Sequence, residues 1–549
     1  MDNKDTDAEI HPLRSHDVKP VVNNEIVGDK NETYKKPNWL SRCRTAAFFA
    51  SLFLCLIVVF AFSFIIPCPV RPYSQRTWIV QYNRARTYAF LAKEDVNQDN
   101  IQDMLFLIKV YAKDDLNVTC EDEGFQSPCF LLTALSGTNG STLWSRFVAE
   151  DVQFVECGIH NLGGLESSCC IIVGIPDSVI AIDSQTGNVL WQNSTGFPSN
   201  AVFRNPLLKI PDVNGDDVQD LMIFVSLGAQ LQSFILSGKD GECIGQNKSI
   251  GIASKDGHYI HSTVTGSHYV LMYAGSTMEA YSVRDLFSRS TNEESNPITL
   301  QTDPDWEGHT NLSTGYIPIV PISSSGDVRY LMKVPGKYYN NILVVKSEVS
   351  ELLDGQTFHS LWSVNTTNIL SKPALGNFKK DVLSIMMEVG SGNGRKKVII
   401  IDSNSGTIQW EVEINLGSLN PSPATLNTGD HRSFFLFWGE ASQDLNYTME
   451  PRTNLYLFHP SYSKALLQLN NHTDDIVMFD AFLFEKSRHA CYVLLTGPNS
   501  TSTFGTVSIS KRKLKEDITS SKIVWLSKET ASEKDIRDHF FRMRYSSHS

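Results

Sequence analysis

Three things are scarce in this 549-residue chain: clustered basic charge, cysteine, and the signatures of catalysis. A net charge of −12 excludes a nucleic-acid partner and offers anionic lipid nothing beyond a few basic residues beside one apolar stretch. Ten cysteines are too few for a fold of this size to be built on disulfides. No HExxH and no nucleophile elbow occurs. His258 and His261 bracket Tyr259 and Ile260 with no carboxylate at metal spacing, and read as structural. Gly390, Gly392 and Gly394 lie between two strand-like runs with no helix to follow, which makes a hairpin and not a phosphate cradle.

Long apolar runs are equally scarce, with one exception. Residues 46–66 carry no charge, Pro or Gly. At about 1.5 Å rise per residue such a helix is roughly 30 Å long, enough to span a bilayer. The run starts too far into the chain and is too long for a signal peptide, and it ends in Pro67, Cys68 and Pro69 without a small-residue cleavage site. Lys35, Lys36, Arg42 and Arg44 precede it, against Arg71 and Arg76 after it, which puts the N-terminus in the cytosol. The sequons agree, because Asn117, Asn139, Asn193, Asn247, Asn311, Asn365, Asn446, Asn471 and Asn499 all follow the span and Asn31 alone precedes it.

Residues 1–45 then read as a flexible cytosolic tail and 67–76 as a proline-stiffened stem. Eight cysteines fall on the lumenal or extracellular side. Cys120 with Cys129 would close one short loop, and Cys157 with either Cys169 or Cys170 another.

Residues 77–527 show short β-rich runs bounded by Gly, Asn, Asp and Ser, with little helical periodicity. A motif recurs in them. A strand ends in Asp or Ser, a polar turn with Gly follows, and the next strand carries Trp: Ser136, Gly140, Trp144; Asp183, Gly187, Trp191; Asp402, Gly406, Trp410. A shorter copy runs from Asp354 to Trp362, while Ser237 to Gly241 has the turn and lacks the Trp. A period of about 50 residues with several strands per repeat is the spacing of β-propeller blades. The weaker echoes leave seven or eight blades, with eight favoured, and the Trp residues belong to the seams between them. Ile536, Phe540 and Met543, at helical spacing in residues 528–549, predict a helix packed on the propeller, with membrane attachment as its alternative.

The most specific chemistry is a pair of nine-residue loops. Asp95, Asn97, Asp99 and Asp103, and again Asp212, Asn214, Asp216 and Asp220, put oxygen-bearing side chains at positions 1, 3, 5 and 9. With the carbonyl at position 7, Ile101 or Val218, such a loop can surround a calcium ion.

D-x-N-x-D-x-x-x-D running into an apolar strand resembles the calcium loop of integrin-alpha FG-GAP repeats. That resemblance implies Gly at position 6, where this chain departs with Asn100 and Asp217, residues that also visit the left-handed region. The span SRCRTAAFFASLFLCL, the IPCP after it, and the later DAFLFEKSRHA and LLTGP resemble the single-pass membrane proteins of family with sequence similarity 234. The resemblance implies a type II membrane protein with an extracellular propeller. The expected product is an all-β, calcium-binding propeller ectodomain on one N-terminal transmembrane helix, at the cell surface or in a secretory-pathway membrane. It would act as a module that binds or scaffolds a protein or glycan ligand. No catalytic residue and no cofactor besides structural calcium is assigned. The alternative is a propeller enzyme of quinoprotein-like or glycan-modifying type.

Overall fold

A computed structural model describes residues 39–65, 77–113, 118–175, 178–194, 202–245, 249–291, 297, 299–311, 313–319, 325–417, 421–440, 453–472, 475–485, 489–499, 503–527 and 531–546. Most of the expected tail, all of the stem, Cys68, Asn117, Asn247 and Asn446 lie outside the described residues, as does the side chain of Asn471. The chain divides into two compact bodies, Met1–Pro72 and Tyr73–Ser549.

In the first body the described part is one helix, Trp39–Ile65. Its 19-residue window Cys43–Ala61 has mean hydropathy 2.2 and buries nothing within the protein, so it is long and apolar enough to cross a membrane. The helix begins several residues before the apolar run, because Ser41, Arg42, Cys43 and Arg44 are compatible with helix even though they are not lipid-like.

The second body is a β-propeller. Among the described residues its strands form eight successive antiparallel sets, numbered 1 to 8 in chain order, over residues 85–149, 151–193, 202–253, 257–319, 328–365, 374–415, 424–472 and 476–513, each of four strands except the seventh, to which Lys522–Trp525 adds a fifth. The strand Trp78–Glu94 belongs to two of them. Residues 78–85 pair with Gly505–Lys513 as the outer strand of set 8, and 85–94 pair with Asp103–Val110 as the inner strand of set 1. The last set is thereby tied to the first.

Alternation along the central strands fills the space between neighbours. In set 3, Leu221, Ile223 and Val225 pack against set 2, while Met222 and Phe224 pack against set 4. The same split recurs around the body, and one cluster joins Phe106 and Ile108 of set 1 to Val493 and Leu495 of set 8. A four-stranded sheet buried on both faces gains its core from two neighbours, so no set can stand by itself.

Among the described residues tryptophan locks five of the eight seams at one end. The indole Nε1 of Trp144 donates to the Ser184 carbonyl of set 2, Trp191 to Gly238 of set 3, Trp362 to Ser403 of set 6, Trp410 to Ser463 of set 7, and Trp78 to Gly137 of set 1, at 2.8–3.1 Å. These rings are buried or half-buried, in the seams as the repeat implied. The seam from set 4 to set 5 has no such Trp. There His261 bonds the Gly355 carbonyl at 2.8 Å and its ring stacks on Trp306.

Among the described residues three helices depart from the expectation of an almost helix-free propeller: Val283–Thr291, Pro304–Glu307 and Leu514–Ser520. The first two lie in a polar insertion whose few apolar residues, Val283, Leu286, Phe287 and Trp306, are buried. They are too short to leave a readable period. The C-terminal helix Glu533–Arg542 buries Ile536 and Phe540 against sets 7 and 8, so that apolar face is not open to a membrane.

Disulfides join Cys120 to Cys129 and Cys157 to Cys170. Cys157 and Cys170 stand directly opposite each other on paired strands, whereas Cys169 points to the other face, into the core between sets 2 and 3. Burial, with Asp183 nearby, pushes the Cys169 thiol up to about 11, which leaves it an inert core residue.

Candidate functional site

In a meander the first and second strands, and the third and fourth, are joined at the same end. The strand ending at Glu94 therefore delivers Asp95 to the end at which the Trp-sealed turns lie. Side chains fold the 95–103 loop on itself. Asn97 Oδ1 accepts from the Asp99 amide at 3.1 Å, Asp99 Oδ1 from Ile101 at 2.8 Å, and Asp95 Oδ2 from Asn100 at 2.9 Å. The 212–220 loop repeats this with Asn214 to Asp216, Asp216 to Val218 and Asp212 to Asp217. Asn100 and Asp217 adopt the left-handed backbone, φ 64° and 65°, as position 6 requires. Position 4 does so too, through Gln98 (60°) and Gly215 (82°).

The ninth residues do a different job from the others. Asp103 and Asp220 are fully buried. Asp103 accepts the amides of Val96, Asn97 and Gly137, and Asp220 those of Val213 and Gly238. Each pins its loop to the turn between the third and fourth strands of its own set. Burial pushes both carboxyls up to about 6 in spite of these donors. Ile101 and Val218 are buried and anchor the loops from below. Among the described residues no group of three or more His, Cys, Asp or Glu is placed to hold a metal ion. The carboxylates at position 9 are turned onto amides.

The two loops differ in one respect. Asp212 Oδ1 accepts from Asn214, Gly215 and Asp216, and Thr299 of the insertion donates to the Asp212 carbonyl at 2.6 Å. Asp95 Oδ1 is buried and has no hydrogen-bond partner. Asp95 also lines a cavity of 400 Å³ between sets 1 and 2, together with His160, Glu166, Ser167 and Gln185. Glu94 crosses this seam, accepting from Ser168 Oγ at 2.6 Å and from Ser184 Oγ. Gln98 of the loop donates to Gln185. Ser167 Oγ is a second buried atom on the cavity without a partner.

The remaining candidates are placed as follows. His258 bonds the Pro206 carbonyl at 2.6 Å, and it and His261 are buried seam residues. Gly392, Asn393 and Gly394 turn the hairpin between Val382–Gly392 and Arg395–Asp402. Asn139, Asn311 and Asn365 are exposed and Asn499 is half-buried. Asn193 is buried, and its Nδ2, the atom a glycan would join, donates to the Gly241 carbonyl, so this position departs from the surface role its sequon suggests.

Two features gave no sequence signal. Lys396 and Glu388 form a completely buried ion pair at 2.7 Å, with Ser371 on the second carboxylate oxygen. They sit on adjacent strands at positions that in sequence look like ordinary surface charge. A 720 Å³ cavity beside the C-terminal helix is lined by Asp430, Tyr462, Asp538 and His539, which come from three distant stretches.

Comparison with known proteins sets this geometry in a family. Residues 78–546 match the family model described as the FAM234A/B beta-propeller. Protein FAM234A of Homo sapiens is 42% identical, with the alignment covering 100% of both chains. Protein FAM234B of Homo sapiens is 28% identical over 89% of this chain and 80% of its own. These names carry no enzymatic activity. Among solved structures, BamB from Moraxella catarrhalis superposes with a TM-score of 0.39 at 12% identity, over 79% of this chain and 100% of that one. A europium-containing methanol dehydrogenase gives 0.42 at 10% identity, over 78% and 93%. Full-length identity above 40% with FAM234A, together with the family match across the whole propeller, places the chain in the FAM234A/B β-propeller family.

Proposed function

We propose that this protein is a type II single-pass membrane glycoprotein whose propeller, eight-bladed and calcium-binding, holds a protein or glycan partner at the cell surface or in the secretory pathway. The observation that carries the reading is the concentration of features at one end of the sets. The two Asp-rich loops, the 283–316 insertion and the exposed Tyr338 and Val264, 81% and 62% accessible, all lie in first-to-second or third-to-fourth connections. Loops gathered at one end of a rigid scaffold give a partner a single face to engage.

Calcium in the 95–103 loop would be held by Asp95, Asn97, Asp99 and Asp103 with the Ile101 carbonyl, and in the 212–220 loop by Asp212, Asn214, Asp216 and Asp220 with that of Val218. The unpartnered Asp95 Oδ1 fits that role. Asp103 and Asp220 would have to share their oxygens with backbone amides, which suits modest affinity at extracellular calcium levels.

The partner reading is tested by photo-crosslinking. A photoreactive residue in place of Tyr338 should give adducts in intact cells, and one in place of Asn393, on a hairpin at the opposite end of the sets, should not. Adducts at Asn393 and none at Tyr338 would refute it.

A further inference from the structure

The cavity between sets 1 and 2 is walled almost wholly by polar side chains. Its lining holds no aliphatic side chain and no benzene or indole ring. At 400 Å³ it lies within the roughly 300–1,000 Å³ range of small-ligand sites. Buried polar atoms are nearly always hydrogen-bonded, and two on this one wall are not: Asp95 Oδ1 and Ser167 Oγ. The first belongs to the Asp-rich loop and is the oxygen assigned to calcium above, so the second is the one left for a ligand. The second, on set 2, can both donate and accept and faces no partner among the described residues.

The charges that could decide a ligand's sign are already engaged. Lys93 is paired with Asp480 at 2.7 Å, and Glu94 with two serine hydroxyls. With Asp95 assigned to calcium, that leaves Glu166 as the uncompensated acid on the wall, and it disfavours an acidic ligand. Ser167, Gln185 and His160 offer groups that both give and take hydrogen bonds. A guanidinium or ammonium only gives them, and would leave the donors of Ser167 and Gln185 unanswered. A hydroxylated ring does both.

We propose that this cavity binds a neutral hexose unit of a glycan, with Ser167, Glu166 and Gln185 of set 2 bonding its hydroxyls and the Asp95 loop closing the near side. This deepens the binding-module reading and rests on it. It gives the 95–103 loop a ligand-facing role, while the 212–220 loop, covered by Thr299 and the buried Leu300, stays structural.

The test uses the full chain in a sugar-free zwitterionic detergent with millimolar calcium. Saturation-transfer NMR is run with methyl α-mannoside, methyl β-galactoside and, as the acidic control, N-acetylneuraminic acid. A saturable signal from a neutral glycoside and none from the acid is expected. Ser167→Ala with Glu166→Ala, neither of which bonds the Asp-rich loop, should weaken the binding about three- to tenfold. The melting temperature and its response to calcium should be unchanged in that variant, which separates lost contacts from lost fold. No signal from either glycoside, or a signal indifferent to the double substitution, overturns the site, and binding of arginine methyl ester in their place assigns it to a basic partner instead. A hexose signal in a protein with no calcium response leaves the site standing and removes the calcium reading alone.

Discussion

A Cβ added to Gly241 would lie 2.2 Å from the Trp191 ring, at a residue whose φ is 72°. Gly215 has φ 82° and no neighbour within 4 Å of the same imaginary atom. Gly241→Ala should therefore destabilise by about 2–4 kcal/mol, backbone strain plus overpacking, and Gly215→Ala by about 1–2 kcal/mol, strain alone. Denaturant melts of the two variants measure the difference, and equal losses would show that the indole does not clamp the turn. His258 supplies a pH dependence. Burial holds its imidazole down at about 4, although the Pro206 carbonyl works against the shift and Arg204 adds to it. The unfolded chain then takes up a proton near pH 6.5 that the folded one refuses. Stability contributed by neutral His258 is complete above that value and is lost as pH falls from 6.5 to 4, by about 3 kcal/mol in all. His258→Gln, which can still donate to Pro206, should flatten the melting curve's acid limb over this window. An unchanged slope would locate the sensitivity elsewhere.

Central strands were the legible elements. Stretches such as Leu221 to Val225 and Phe434 to Trp438 are buried on both faces and appear in sequence as unbroken apolar runs. Inner and outer strands, half wet, left little trace. The Trp motif identified seams because indole, turn glycine and carbonyl recur together. It failed at the seam entering set 5, where Phe358 takes the left-handed seat (φ 59°) that glycine holds in the turns of sets 1, 2, 3 and 6, and where His261 and Trp306 supply the seal. No local pattern announces a substitute brought from 50 or more residues away. The choice between Cys169 and Cys170 was likewise invisible until strand register put one of them opposite Cys157. Cys157→Ala with Cys170→Ala should cost about 3 kcal/mol, the usual value for a loop of this size. Cys169→Ala should cost about 1 kcal/mol, as a small cavity. A larger loss from Cys169→Ala would mean that the bond forms to the wrong sulfur, and mass mapping of the non-reduced protein would show it.

At the scale of the molecule the chain separates an apolar helix from a closed, two-sided packing of β-sets, and the division is plain in sequence because 46–66 has no counterpart elsewhere. Chemistry was less legible. The Asp-rich loops were found from spacing, yet the unequal surroundings of the two were not, since the cavity on one and the insertion over the other come from set 2 and from residues 283–316. The central claim is that these loops take calcium and thereby steady the propeller. Its most direct measurement is the melting temperature of the full chain with millimolar calcium and with chelator, for the parent and for Asp95→Ala with Asp212→Ala. The account predicts that calcium raises the melting temperature of the parent and leaves that of the double variant where the chelator leaves it. A parent whose melting is the same in calcium and in chelator would contradict it.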